Sequence, residues 1–348
     1  MTSRDRELEA PHRRLEPGPR ILEKAVVAGY RATSRLLGLL PPGPPRFILG
    51  RLSQASYLLW PTKRRWSNRN FGHVLGLPPD HPRVRKLALA AYAEYGRYLV
   101  ELMRLPSRSP AELDRLAGDI DAAGVMGHLS ASRGGLILAA AHVGNNEAVA
   151  ASIARHGMPI SVVADDSSFP ELFELLRRQR EGWGIKVIAW RNLRGIFSVL
   201  RGREMLALLV DWGYHADGIP VQLFGAWTTL PAGPATLAAK TGSRILSITI
   251  GRRPDGTFGV SWPLESIEVA SSDPAELQRA TQQMADELAA TIRLAPEQWY
   301  SFKPMWPASP DESADLERRA RIMQSGRPDP GPRRGRPRDE AELAAEGT

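Results

Sequence analysis

The sequence predicts an α/β protein, with a central mostly parallel sheet flanked by helices and a basic amphipathic helical N-terminal region. Two observations carry that expectation. From about residue 112, short apolar runs alternate with segments of helical periodicity, the pattern of a layered architecture built on parallel strands. Ahead of that point, long apolar-basic segments have helical spacing and no strand pattern. A chain of 348 residues, 43% hydrophobic and 24% charged, has the composition of a globular protein with ample core.

The elements follow in order. Residues 1–19 are polar, hold Pro11, Pro17 and Pro19, and read as a disordered tail. Residues 21–40 form an amphipathic helix, with Lys24, Arg31 and Arg35 within about 40° of one another at 100° per residue. Pro41 to Pro45 ends it. A second apolar segment, 47–60, carries Tyr57 and Trp60 and runs into Lys63-Arg64-Arg65-Trp66, cations beside aromatics as a lipid headgroup region favours. A third helix spans 84–105, its stripe of Leu87, Ala91, Tyr95, Tyr98 and Leu102 facing a core. Residues 20–110 are thus expected to be a membrane-associating helical region and 111–310 the α/β core. Candidate strands in the core are 136–141, 159–164, 185–189, 204–210, 244–250 and 258–262. Candidate helices are 113–129, 146–156, 170–182, 192–201, 231–242 and 274–295. The Pro- and Arg-rich stretch 326–348 reads as a second disordered tail.

Charge is unevenly distributed. Residues 1–110 hold 20 Lys/Arg against 8 Asp/Glu, and the remainder 26 against 30, within a net charge of +8. A basic first third points to an anionic surface, nucleic acid or lipid headgroups. The absence of cysteine excludes disulfides, thiolate metal sites and a cysteine nucleophile. No signal-peptide pattern opens the chain, and no apolar run approaches the 18 residues of a membrane span. Dinucleotide, Walker A, zinc-protease and nucleophile-elbow motifs are all missing, which removes weight from those enzyme classes.

The chemistry centres on Leu136 to Glu147. A buried strand runs to Ala141, His142 stands at its end, Gly144 turns the chain, and Asn145 or Asn146 caps the following helix. In open α/β sheets ligands bind at such strand ends. On a continuous helix, residues five apart diverge by about 140°. Across a turn, the Glu147 carboxylate can fold back onto the imidazole, fix its tautomer and raise its basicity, making a dyad that removes a proton from an alcohol. The bland alternative is an acid at a helix N-terminus, favoured by the macrodipole. Asp211 ends another strand in the same way. Arg177, Arg178 and Arg180 share a helix on which one cation suits a phosphate, and the acid pair Asp165-Asp166 follows a strand. No metal or cofactor is expected. Thr228-Thr229 precede Pro231 as a helix-entry loop.

Taken together, the His142-x4-Glu147 block, Asn68-Arg-Asn, Arg180-Glu-x-x-Gly184, the Asp211 block, Phe224-Gly, Thr228-Thr-x-Pro-Ala-Gly-Pro-Ala235, Thr241-Gly242 and Trp299-Tyr-Ser-Phe resemble the lysophospholipid acyltransferase superfamily. More narrowly, they resemble its bacterial branch of lipid A late acyltransferases and phosphatidylinositol mannoside acyltransferases, over residues 20–307. The resemblance implies transfer of a fatty acyl group from acyl-CoA or acyl-carrier protein to a hydroxyl of a membrane glycolipid or phospholipid. It makes His142 the general base, Glu147 its orienting partner and Asp211 an acid lining the site. Arg180, Asn145, Thr228 and Thr229 would be substrate-binding. The basic, amphipathic N-terminal third is expected to attach peripherally to an anionic membrane surface, on the cytoplasmic face of the inner membrane, and no recognition motif supports a nucleic-acid partner. A thioesterase using the same groups on water, or a non-catalytic lipid-binding protein, are the alternatives. Two departures stand out: the motif ends in Glu rather than the commoner Asp, and Trp212-Gly-Tyr replaces the usual Arg-Asp or His-Asp after Asp211.

Overall fold

A computed structural model describes residues 20–164 and 169–332. Four helices come first: α1 (Arg20–Leu39), α2 (Gly43–Leu59), α3 (Pro61–Leu75) and α4 (Pro82–Arg104). Each of the last three starts with Pro in its first turn, where the missing N–H is no loss. Helices α2 and α4 cross closely at buried Gly96, where the lack of a Cβ makes room for the Leu49 carbonyl. Tyr57 of α2 is buried against Tyr92 of α4, with ring centroids 5.3 Å apart.

The expected single helix at 113–129 is two, α5 (Pro110–Leu116) and α6 (Ala122–Ala131). Local capping explains the break. Ser109 and Glu112 form a capping box at α5, and Asp121 accepts from Gly124 N at 2.9 Å to start α6.

The sheet then assembles from β1 (Leu136–Ala140), β2 (Ile160–Ala164), β3 (Lys186–Ala189), β4 (Met205–Leu209), β7 (Arg244–Arg252) and β8 (Phe258–Ser261). Its order is β3-β2-β4-β1-β7-β8, parallel except for β8 at the edge. Helices α7 (Asn146–Arg155), α8 (Pro170–Gly182), α9 (Leu193–Arg201), α10 (Gly233–Thr241) and α11 (Pro274–Leu294) flank it. Strand β1 is buried along its whole length, and alternate residues feed two apolar cores: Ile137 and Ala139 one, Leu136 and Leu138 the other. This is the α/β architecture expected.

Helix α3, the strands of a hairpin and a C-terminal helix have no counterpart in the expected list. Strands β5 (Ile219–Leu223) and β6 (Ala226–Leu230) make a separate hairpin, turning at Phe224 and Gly225, both with positive φ, as a two-residue hairpin loop requires. Helix α12 (Pro310–Gln324) begins at a Ser309–Glu312 capping box and packs on the hairpin and α11. Its Arg319, only 1% exposed, donates to Ala216 O and Gly218 O and pairs with Asp329 at 2.6 Å. Core structure therefore continues past residue 310, and part of the stretch expected to be a tail from 326 is docked. Residues 1–19 and 333–348 lie outside the described residues, as do Asp165 and Asp166.

Buried ion pairs join the N-terminal helices to the sheet. Arg252, at the end of β7, pairs with Glu101 of α4 at 2.9 Å and also with Glu94, while Arg46 of α2 reaches Glu101 at 3.2 Å.

Candidate active site

The parallel register builds the centre of the site. Ala140 of β1 lies opposite Leu209 of β4, an offset of 69 residues. Carried two residues beyond the strands, the same offset sets His142 opposite Asp211. Asp211 Oδ1 lies 2.6 Å from His142 Nδ1, and Oδ2 accepts from the His142 backbone N–H at 2.9 Å. The Trp299 indole donates to Oδ2 at 2.8 Å. Every donor facing this buried carboxylate is therefore matched, which keeps it ionised: burial works against the charge, but His142 and the N–H donors outweigh it and hold Asp211 below its ordinary pKa. An ionised acceptor fixes Nδ1 as the donor and leaves Nε2 as the basic nitrogen. Burial also opposes a charged imidazole, and Lys303 adds to that. The Asp211 carboxylate prevails and raises His142 above its ordinary value. About a third of the His142 side chain remains exposed.

The imidazole is walled by Trp212, edge to face at 5.9 Å, whose indole donates to Leu209 O at 2.6 Å. The segment 298–300 clamps the other side. Gly144 N donates to Gln298 O at 3.2 Å, Tyr300 N donates to His142 O at 2.8 Å, and Val143 bridges to Trp299. Gly144 has φ +66°, and a Cβ there would crowd Ile250 at 2.9 Å. A side chain at that turn would strain both backbone and packing.

Glu147 is placed elsewhere, and this corrects the expected dyad. It sits in the first turn of α7, but its carboxylate takes Arg180 of α8 in a two-pronged pair, 3.0 Å from Nε. No hydrogen bond joins Glu147 to His142 among the described residues. The physical reason is reach: β4 delivers Asp211 in register onto Nδ1, while α7 carries Glu147 toward α8. Arg180 keeps its charge because Glu147 outweighs the effect of burial. Beside the pair lie Tyr98 of α4 and Tyr30 of α1, the latter donating to Gln179 at 3.1 Å. Tyr98 stacks on Tyr300, with centroids 5.1 Å apart, and burial pushes the Tyr300 phenol up to about 12.

Three residues expected to touch substrate carry structural hydrogen bonds. Asn145 is buried and caps α7, accepting from Ala148 N at 3.0 Å. Thr229 Oγ1 donates to His215 O at 2.7 Å, and Thr228 Oγ1 donates to Met305 O. Both threonines are fully buried: Thr229 holds the loop after Asp211 against the hairpin, and Thr228 ties the hairpin to the segment that follows Trp299. Arg177 and Arg178 pair with Glu174 on the surface of α8. Asn70, from the Asn-Arg-Asn motif, is likewise a staple: it donates to Ser301 O and Lys303 O and ties α3 to the segment carrying Trp299.

Trp299 is the residue that sequence reasoning left without a role. The signal was its place in the Trp299-Tyr-Ser-Phe block. Its link to Asp211, 88 residues away, appears only in three dimensions.

Comparison with known proteins fits this geometry. A phosphatidylinositol mannoside acyltransferase of Mycolicibacterium smegmatis (strain ATCC 700084 / mc(2)155) is 29% identical over 300 residues, covering 84% of this chain and 94% of the relative. One of the same description from Mycobacterium tuberculosis (strain CDC 1551 / Oshkosh) is 30% identical over 266 residues, covering 73% and 80%. The family model described as bacterial lipid A biosynthesis acyltransferase matches residues 16–307, a span that holds His142, Asp211, Glu147, Arg180 and Trp299. By that match the chain, an acyltransferase, belongs to the bacterial lipid A biosynthesis acyltransferase family.

Proposed function

We propose that this acyltransferase moves a fatty acyl group from a thioester, acyl-CoA or acyl-carrier protein, to a hydroxyl of a membrane glycolipid or phospholipid, with His142 as general base and Asp211 as its partner. The observation that carries the reading is the 2.6 Å contact between His142 Nδ1 and Asp211 at the carboxyl ends of β1 and β4. His142 Nε2 takes the proton of the lipid hydroxyl as its oxygen attacks the thioester carbonyl. A C–O bond forms, the C–S bond breaks, and the imidazolium returns its proton to the departing thiolate. Asp211 stabilises the imidazolium between these steps, as the carboxylate of a triad does. The mannoside acyltransferase relatives support a glycolipid acceptor.

The surface supports a lipid-facing role for α1 and α2. Eleven of the eighteen large apolar side chains exposed among the described residues fall between Leu22 and Trp60. Leu39, Phe47, Leu52 and Leu59 stand out, with Arg51 over the Phe47 ring and Lys63 over Trp60. Apolar side chains interleaved with cations suit an anionic bilayer surface, the cytoplasmic face of the inner membrane in this proposal. No helix among the described residues is long and apolar enough to cross a membrane.

The test is acyl transfer from radiolabelled palmitoyl-CoA, and separately palmitoyl-acyl-carrier protein, into total membrane lipid by wild type and by His142→Ala. Label in one lipid band, lost in the variant, is the expected result. Release of free fatty acid at the same rate with and without lipid acceptor would replace the reading with a thioesterase.

A further inference from the structure

We infer that Trp299 is a positioning residue of the proton-transfer machinery, its indole N–H setting the orientation and the basicity of the Asp211–His142 pair. The inference rests on the reading of His142 as the base.

Asp211 is enclosed, so its two oxygens see only the donors that the fold supplies. Oδ1 faces His142 Nδ1 at 2.6 Å and the His142 backbone N–H at 3.1 Å. Oδ2 faces the same N–H at 2.9 Å and the Trp299 indole at 2.8 Å. His142 contacts both oxygens, but its side-chain contact is to Oδ1 alone. The Trp299 indole is the side-chain donor on Oδ2 and gives the carboxylate an anchor outside the residue it orients. The indole is itself held: it is fully buried, meets Phe71 edge to face at 5.9 Å, and its backbone bridges to Val143, next to the base. One residue thus holds both the chain next to His142 and the carboxylate.

The electrostatic consequence has a definite sign. An N–H donor on Oδ2 spreads the negative charge of Asp211 and weakens its hold on the imidazolium proton. Without it, the pair binds its proton more tightly, and less neutral His142 is available at a given pH. The other charge acting on His142 is Lys303, from the segment after Trp299. Glu147 of α7 and Arg180 of α8 neutralise each other, and Tyr300 and Tyr98 stay un-ionised. Nothing on those elements compensates for a lost indole.

The test compares pH profiles of acyl transfer for wild type, Trp299→Phe, a protein carrying the shape-matched benzothienylalanine at 299, and Trp306→Phe. The benzothienyl ring keeps the packing and lacks the N–H. Trp306 donates to Ala226 O at 3.4 Å, away from Asp211, and serves as the control indole. Both replacements at 299 should lower kcat about ten- to hundredfold, the range for a hydrogen bond to a charged group. They should leave KM within about twofold and move the acid limb upward by about half a pH unit or more. Trp306→Phe should leave the limb in place. A benzothienylalanine protein with the wild-type rate and profile overturns the inference, as does a loss of thermal stability with no movement of the limb. Failure of the acyltransferase reading looks different: wild type itself would transfer no acyl group, or His142→Ala would remain active.

Discussion

Replacing Asp211 by Asn is the most demanding perturbation of the site, because it removes a charge while barely changing shape. An amide has one oxygen, yet the carboxylate serves three donors: His142 N, His142 Nδ1 and Trp299 Nε1. With the NH2 toward His142, Nδ1 must become the acceptor, the proton moves to Nε2, and the base is lost. With the NH2 turned the other way, it meets the indole N–H and the backbone N–H. Either orientation disables the pair. The lost attraction can be sized from charge centres about 4 Å apart at an effective dielectric of about 20, which gives about 4 kcal/mol, or roughly a thousandfold in rate. The exposed third of the imidazole lowers that figure toward about 2 kcal/mol. The assay is the initial rate of acyl transfer into saturating lipid across pH 5–9. Wild-type activity should rise with pH through a midpoint above the ordinary imidazole value of about 6.5, since the base must be neutral and Asp211 raises its pKa. The residual activity of Asp211→Asn should rise through a lower midpoint. Stability follows the same signs: the His142 contribution is full below about 6.5 and fades as pH climbs through the raised value, while that of Asp211 fades as pH falls through its lowered one. An Asn variant within tenfold of wild type and with an unmoved midpoint would refute the assignment.

Glu147→Gln should behave in the opposite way, losing about 1–3 kcal/mol of stability as Arg180 is left half-paired, with the acid limb unmoved. Thermal melts and a pH profile check it, and a shifted limb would restore Glu147 to the base. Phe47→Ser, Leu52→Ser and Leu59→Ser combined should sharply reduce flotation with anionic liposomes and leave the melting temperature close to wild type, as all three are exposed. Undiminished flotation would count against the lipid-facing surface. Deleting residues 1–60 is a poorer test, because it also removes Tyr57 from the core.

What the sequence made legible was local. An apolar hexad followed by His142 reads as a buried strand with its carboxyl end outward, because burial and the turn chemistry of Gly144 and Asn145 are encoded within a dozen residues. The partner of His142 was harder. Spacing singled out Glu147, five residues on, whereas the carboxylate that arrives is 69 residues on, brought by strand register. Asp211 was visible as a strand-end acid, but adjacency of β1 and β4 is a long-range choice that periodicity does not carry. Thr228 and Thr229 misled for a related reason: a polar pair before a helix looks available, and only the hairpin β5–β6 shows both hydroxyls used inside. Helix 113–129 broke because two capping residues, Ser109 and Asp121, each start a helix of their own.

The two carboxylates of the site divide two tasks, and their surroundings explain the division. Asp211 is sealed from water and meets only N–H donors, so its charge acts on the imidazole. Glu147 lies at an elbow between α7 and α8, and its charge acts on Arg180. That second pair is covered by α1: Tyr30 donates to Gln179, and the Glu23 carboxylate accepts from Glu171 N at 2.5 Å, capping α8 from outside. The helix proposed to rest on lipid is therefore fastened to the helix that carries Arg180. Arg252 fastens α4 to the sheet beside Tyr300, one residue from Trp299. Orientation on a membrane would then be transmitted rigidly to the site, since both links consist of buried or half-buried charges and hydroxyls with fixed partners. At the site itself the exposed part of the side-chain pair is His142, while Asp211 and Trp299 stay behind it, out of reach of water.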